Sequence, residues 1–175
     1  MPNMLKEFFQ RRALKKDASP EPTGLLPLHR VRSAVAFIDV EDTAFNDCKN
    51  EVMAFFRSHG IKGDIFFFDF RKLSKDERLI TSITTTVLRK DLNWFGKPSE
   101  EKVKLLVQGE PDMFISLVPA ESYALNYMAA CSRARFKIGR QDSKVYDLVF
   151  RDTPEKPISQ RDAFREIVKL MEKIA

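Results

Sequence analysis

The chain has 175 residues, 43% of them hydrophobic and 31% charged, with a net charge of +5; this is enough for one domain with a sizeable core and short for two. Lys6, Arg11, Arg12, Lys15, Lys16, Arg30 and Arg32 stand against Glu7, Asp17 and Glu21 within the first 32 residues, a net of +4, so the remaining body is nearly neutral. That balance speaks against the wide basic face on which nonspecific nucleic-acid binding depends, and no apolar run approaches the ~18 residues of a membrane span.

The chain does not open on a charged segment followed by a signal-type apolar stretch. Its two cysteines, Cys48 and Cys131, form no C-x-x-C motif and each falls in an apolar helical stripe, where cysteine behaves as a small buried hydrophobe. Together these features predict a soluble protein of the reducing cytoplasm.

Residues 1–17 read as a basic helix with Met4, Leu5, Phe8 and Phe9 along one side. Such a face can dock on the domain or on a second protomer, and it also suits peripheral contact with anionic lipid. DASPEPTG, with two prolines and a glycine, marks a linker over residues 18–32. Residues 33–175 are expected to form a single domain.

SAVAFIDV at 33–40 is a nearly continuous apolar run of strand length, the pattern of a strand buried on both faces. Asp42 is placed to cap a following helix whose stripe, Phe45, Cys48, Val52, Phe55 and Phe56, keeps the 3.6-residue period and stops at Gly60. DIFFFDF at 64–70 predicts a second strand. Periodicity then weakens from Arg71 onward, with a β-branched section at 83–87 suited to a short edge strand and a turn at Gly96 and Pro98. Ser99 before Glu100 and Glu101 reads as a capped helix start, and Val103, Leu106 and Val107 carry that helix to Gly109.

MFISLV, AESYALNYMAACS and RFKIG predict a third strand, a helix and a fourth strand, the last with Phe136 and Ile138 on one side and Arg135 and Lys137 on the other. VYDLVF follows after about five residues, whereas a parallel crossover needs a dozen or more, so the spacing predicts antiparallel pairing. Ser159 with Asp162 three residues on starts a final helix carrying Phe164, Ile167, Val168, Met171 and Ile174. The expected fold is three-layer α/β with a Rossmann-like or flavodoxin-like, mainly parallel sheet and a C-terminal antiparallel edge strand.

Ligands of open α/β sheets bind beyond the carboxyl ends of the strands. The residues expected there are Asp39, Glu41 and Asp42, then Asp69, then Ser116, Glu121 and Ser122. FIDVEDT resembles the D-x-D-x-T nucleophile loop of haloacid-dehalogenase-type phosphotransferases, but Glu41 replaces the second aspartate and no paired downstream aspartates complete a metal site. Neither G-x-G-x-x-G nor a P-loop motif is present among the six glycines, so no cofactor is expected. His29 and His59 are isolated, which argues against zinc and against a His-activated nucleophile. No catalytic or metal residue is assigned.

Arg133, Arg135, Lys137, Arg140 and Lys144 form the densest basic cluster of the body, suited to a phosphate or carboxylate or simply to a solvated strand face. Trp94 and Phe95 can stack a ligand or pin their connection to the domain. Asp39, Asp42, Ser116, Ser122, Arg135 and Lys137 are therefore the ligand-binding candidates.

LNWFGKP at 92–98, the passage from Asp112 to Leu117, and AACSRARFKIG followed by YDLVF resemble a family of small bacterial proteins known only as a domain of unknown function. The likeness covers nearly the whole chain and implies an architecture without lending an activity, cofactor or site residue. Residues 112–139 are also similar to the end of the N-terminal Rossmann-like half of heptosyltransferase-type glycosyltransferases, whose second half this chain lacks. Two functions are carried forward: a non-catalytic binding or accessory module, with a protein as its partner, and a domain holding an anionic small molecule such as a phosphate or nucleotide sugar in the carboxyl-end crevice.

Overall fold

The computed structural model describes residues 2–72 and 80–175. Helix α1 (Pro2–Asp17) comes first and strand β1 (Ser33–Asp39) opens the sheet. Then come α2 (Phe45–Ser58), β2 (Lys62–Asp69), β3 (Thr86–Leu88), α3 (Glu100–Gln108) and β4 (Met113–Ser116). The chain closes with α4 (Tyr123–Cys131), β5 (Phe136–Gly139), β6 (Leu148–Val149) and α5 (Gln160–Glu172). The strands form one sheet in the order β3-β2-β1-β4-β5-β6 with every pairing parallel. This is the doubly wound Rossmann order, in which the winding reverses between β1 and β4.

Alternation along each strand feeds two cores. Ala34, Ala36 and Ile38 of β1 face α2 and α5 together with Ile65, Phe67, Ile115 and Ile138, while Val35 and Phe37 face α3 and α4. Phe37 is fully buried, with the rings of Phe66, Phe68 and Phe114 at 5.3, 5.1 and 5.2 Å. Burial on both faces is what turns these segments into continuous apolar runs. Helix α1 lies outside this sandwich, packed on α4.

Most expected elements form, with local corrections. Of the β-branched section at 83–87, Ile83–Thr85 form a 3-10 turn and only Thr86 and Val87 enter the short edge strand β3, hydrogen-bonded in parallel to β2 through Phe67–Asp69. Of the connection leading to it, residues 73–79 lie outside the described residues. Asp42 does not cap α2, whose N-cap position is Ala44; it folds the turn before it, accepting from the Ala44 amide at 2.9 Å. Ser99 occupies the N-cap of α3 without a side-chain bond, whereas Ser159 caps α5 by accepting from Asp162 N at 3.1 Å. Helix α2 ends as expected, at His59 and at Gly60, whose φ of +63° is the left-handed conformation that glycine adopts without strain.

The predicted antiparallel edge is incorrect: β6 pairs with β5 in parallel, Ile138 opposite Leu148 and Gly139 opposite Val149. The crossover rule assumes a strand of ordinary length, but β6 has two residues, so the intervening loop returns only a short distance. Asp147 fastens that return by donating its amide to Lys137 O at 2.8 Å and accepting from Lys137 N at 2.8 Å. Tyr146 then lies against Gly139, where an added Cβ would stand 2.5 Å from its ring.

Residues 18–32 follow the body closely. Ser19 N donates to Ala130 O at 2.8 Å and Gly24 N to Arg135 O at 2.9 Å, and Leu26 and Val31 are buried in the core beside α2 and α5.

Candidate functional site

The reversal of winding leaves a crevice between the carboxyl ends of β1 and β4, where doubly wound sheets take their ligands. Asp39 and Ser116 end these strands, Asp42 lies in the turn after β1, and Arg140 directly follows β5. Gln160, the first residue of α5, enters from the face of the sheet that α5 shares with α2 and is 1% exposed.

Gln160 ties this end together. Its Oε1 accepts from Asp39 N at 2.7 Å, and its Nε2 donates to Asp39 O at 2.9 Å and to Asp42 Oδ2 at 3.2 Å. The Gln160 backbone amide also donates to Asp42 Oδ2, at 3.3 Å. Asp39 Oδ1 turns back to accept from Glu41 N at 2.9 Å. Backbone amides and carboxylates that would meet a ligand in an open crevice are thus paired within the chain. Burial pushes Asp39 above the usual carboxylate range, and the neighbouring charges of Glu41, Asp42 and Asp69 push the same way.

Arg140 performs the same closure beside it. Its side chain is 1% exposed, Nη1 donates to Leu117 O at 3.1 Å, and Nη2 pairs with Asp152 and donates to Ile158 O at 3.4 Å. Asp152 accepts in turn from Ile158 N at 3.2 Å. The guanidinium thereby pins the segment leading into α5 to the end of β4, with its Nε buried and unpaired. What remains open here is a cavity of about 290 Å³ between Pro119, Glu121, Arg140, Gln141, Asp142, Arg151 and Asp152. Three acids against two arginines make its lining net negative, and Arg151 is already paired with Asp142.

The helix that begins at the switch point is equally ill-suited to phosphate. A phosphate-binding turn offers glycine amides at a positive helix end; here Glu41, Asp42 and Asp47 crowd the start of α2, and no glycine lies between Asp39 and Ser58. Asp69, at the end of β2, is held below the usual carboxylate range by its hydrogen bonds to the Arg71 guanidinium, at 2.7 and 2.8 Å, against the upward pull of its burial.

Of the six candidates, the structure brings Asp39, Asp42 and Ser116 to one end of the sheet. Ser122 is the N-cap of α4, accepting from Leu125 N at 3.3 Å. Arg135 lies at the other end of the sheet, before β5, and its Nη2 pairs at 2.7 Å with Asp112, which also accepts from the Arg32 and Ser33 amides at 2.7 and 3.2 Å. Lys137 is not on a solvated face: it is 5% exposed inside β5, and burial lowers its pKa. The basic cluster is therefore divided among separate environments. Gln160, Asp152 and Tyr146 were not singled out from the sequence, because a glutamine in a first helical turn carries no signal of the strand end it will meet.

A second cluster joins α1 to the body. The Tyr127 hydroxyl donates to Asp17 Oδ2 at 2.6 Å, and Lys97 Nζ lies 3.2 Å from the same oxygen. Cys131 is 5% exposed and unoxidised, like Cys48 on the opposite face of the sheet; burial pushes both thiols up, that of Cys48 to about 12. Trp94 and Phe95 pin this region, both rings meeting Phe9 of α1, at 5.3 and 5.9 Å.

Among the described residues, no group of three or more His, Cys, Asp or Glu side chains is arranged to hold a metal ion, and no helix is long and apolar enough to cross a membrane. The model of a family described as "Family of unknown function (DUF6913)" matches residues 3–174. Neither the curated proteins nor the solved structures contain a match, and the likeness to heptosyltransferase-type enzymes receives no support.

Proposed function

Because the chain belongs to the DUF6913 family, a family of unknown function, its role is read from its geometry, and we propose that it is a small non-catalytic binding or accessory module of the cytoplasm. The observation that carries this reading is Gln160. By exchanging hydrogen bonds with both backbone groups of Asp39 and by bonding the Asp42 carboxylate, it spends within the chain the polar groups that a ligand at the switch point would use. The acidic surround of α2 and of the 290 Å³ cavity adds to this, since both repel phosphates and nucleotide sugars. Two buried, separate thiols suit a reducing compartment.

The test is a thermal-shift screen against nucleotides, nucleotide sugars, sugar phosphates and divalent metals, since a ligand selective for the folded state raises its apparent stability. No class is expected to raise the transition. A concentration-dependent rise with one class, abolished in Asp39→Asn, overturns the proposal.

That outcome would favour the second reading, a ligand-binding or enzymatic crevice. Its supporting observation is Asp39 itself, a partly buried carboxyl at a strand end whose proton affinity is raised by burial, as in groups that exchange protons with substrates.

A further inference from the structure

We propose that the outer face of α1, extended by Trp94, docks the protein on an anionic phospholipid surface. This inference is independent of whether the switch-point crevice is inert, because the two lie on different elements.

Helix α1 has two faces. Phe9, Gln10, Ala13, Leu14 and Asp17 are half-buried against the body. The opposite face leaves Met4 69%, Leu5 57% and Phe8 56% exposed, and Arg11, Arg12 and Lys15 share its surface with Met4 and Phe8. Trp94, 61% exposed, continues the apolar patch through Phe9, which contacts both Phe8 and Trp94 at ring distances of 5.6 and 5.3 Å. Among the described residues the only acid on this face is Glu7, 3.8 Å from Arg11. Apolar side chains thus occupy the amino half and basic ones the carboxyl half of this exposed face.

A bilayer interface satisfies both halves. The apolar side chains reach the acyl boundary, Trp94 sits at headgroup depth where indoles accumulate, and the basic side chains meet anionic headgroups. Nucleic acid would reward the charges but leave Met4, Leu5, Phe8 and Trp94 in water, and the body beyond α1 is nearly neutral. An acidic peptide seated in the shallow concavity of Met4, Phe8 and the basic side chains would leave Leu5 and Trp94, which lie outside it, in water.

The helix is also held ready. Gln10 Nε2 donates to Phe95 O at 2.8 Å, the Tyr123 hydroxyl donates to Gln10 O at 3.0 Å, and Asp17 is fixed by Tyr127 and Lys97. Docking therefore carries no cost of folding the helix at the membrane, a cost that short interfacial segments ordinarily bear.

Trp94 is the single tryptophan and stands within the proposed surface, so its fluorescence reads the contact directly. The full chain is titrated with mixed phosphatidylcholine–phosphatidylglycerol vesicles, with neutral phosphatidylcholine vesicles and with heparin as a polyanion lacking an acyl boundary. The expected result is a blue shift and cosedimentation with the mixed vesicles only. Binding should fall on the order of tenfold or more in the triple variant R11E/R12E/K15E, and several-fold in Phe8→Ser. All four side chains are exposed, so an unchanged thermal transition will certify the variants as folded. No blue shift with mixed vesicles, equal binding by the triple variant, or a stronger response to heparin than to vesicles would each overturn the proposal.

Discussion

Asp39 and Gln160, 121 positions apart in the chain, exchange two hydrogen bonds across the carboxyl end of the sheet, amide to side-chain oxygen at 2.7 Å and side-chain nitrogen to carbonyl at 2.9 Å. The pair joins the first strand to the last helix. Gln160→Leu keeps the volume but leaves a buried amide and carbonyl of Asp39 unpaired, and should cost about 1–3 kcal/mol in urea unfolding. Gln160→Glu should cost more at neutral pH, because its carboxylate meets Asp42 and the Asp39 carbonyl, and should regain part of the loss on mild acidification. Wild-type stability in Gln160→Leu would show that the closure is incidental.

The clamp on α1 should be sensitive to acid. The Tyr127 hydrogen bond holds the Asp17 carboxyl below its ordinary value of 3.8, against the upward pull of burial and with help from Lys97. A depressed folded value means that the stabilisation is present above the unfolded value, near 3.8, and lost as pH falls through the folded one. Trp94 emission, which reports the contact with Phe9, should therefore shift at a pH below 3.8. Tyr127→Phe should weaken the clamp by about 1.5 kcal/mol, the low end for a bond to a charged acceptor that is partly solvated, and should move the acid transition upward. An unchanged transition in Tyr127→Phe would remove Asp17 as its cause.

Gly139 and Tyr146 are matched by contact. A Cβ on residue 139 would stand 2.5 Å from the Tyr146 ring, so Gly139→Ala should destabilise by about 1–3 kcal/mol through overpacking. Combined with Tyr146→Leu, which withdraws the ring, the two losses should fall short of additive in a double-mutant cycle. Strict additivity would place the strain elsewhere.

Arg140 should be costly to remove on either side of its ion pair. Its guanidinium is 1% exposed while the Asp152 side chain is 22% exposed, so Arg140→Met, which leaves Asp152 with water, should cost less than Asp152→Leu, which leaves a buried charge without its partner. The latter belongs with broken buried pairs, at about 3 kcal/mol or more. Denaturant midpoints of the two variants provide the comparison, and the reverse order would contradict it.

Local chemistry made much of this molecule legible before folding is considered. Two-sided burial of β1 turns SAVAFID into a continuous apolar run, the 3.6-residue stripe from Phe45 to Phe56 marks α2, and the Ser159 hydroxyl caps α5. Each is an interaction between near neighbours in the chain or a residue's preference for burial, so each is written into a short segment. Chain spacing also placed Asp39, Asp42 and Ser116 correctly, because a strand's last residues mark its carboxyl end.

Tertiary structure alone decided the direction of β6, since the returning loop is fastened by Asp147 to Lys137, a contact that ordinary loop lengths do not anticipate. It alone decided which polar groups meet. Lys137 is buried and Arg135 is bound to Asp112 at the amino end of the sheet, while Gln160 reaches Asp39 from the far end of the chain. Hydrogen bonds of that kind depend on the relative placement of whole elements, which is set by the packing of both cores at once. The same holds for α1: its composition foretold a basic helix with an apolar side, and only its packing on α4 determined that Phe9 turns inward while Met4, Leu5 and Phe8 remain outside.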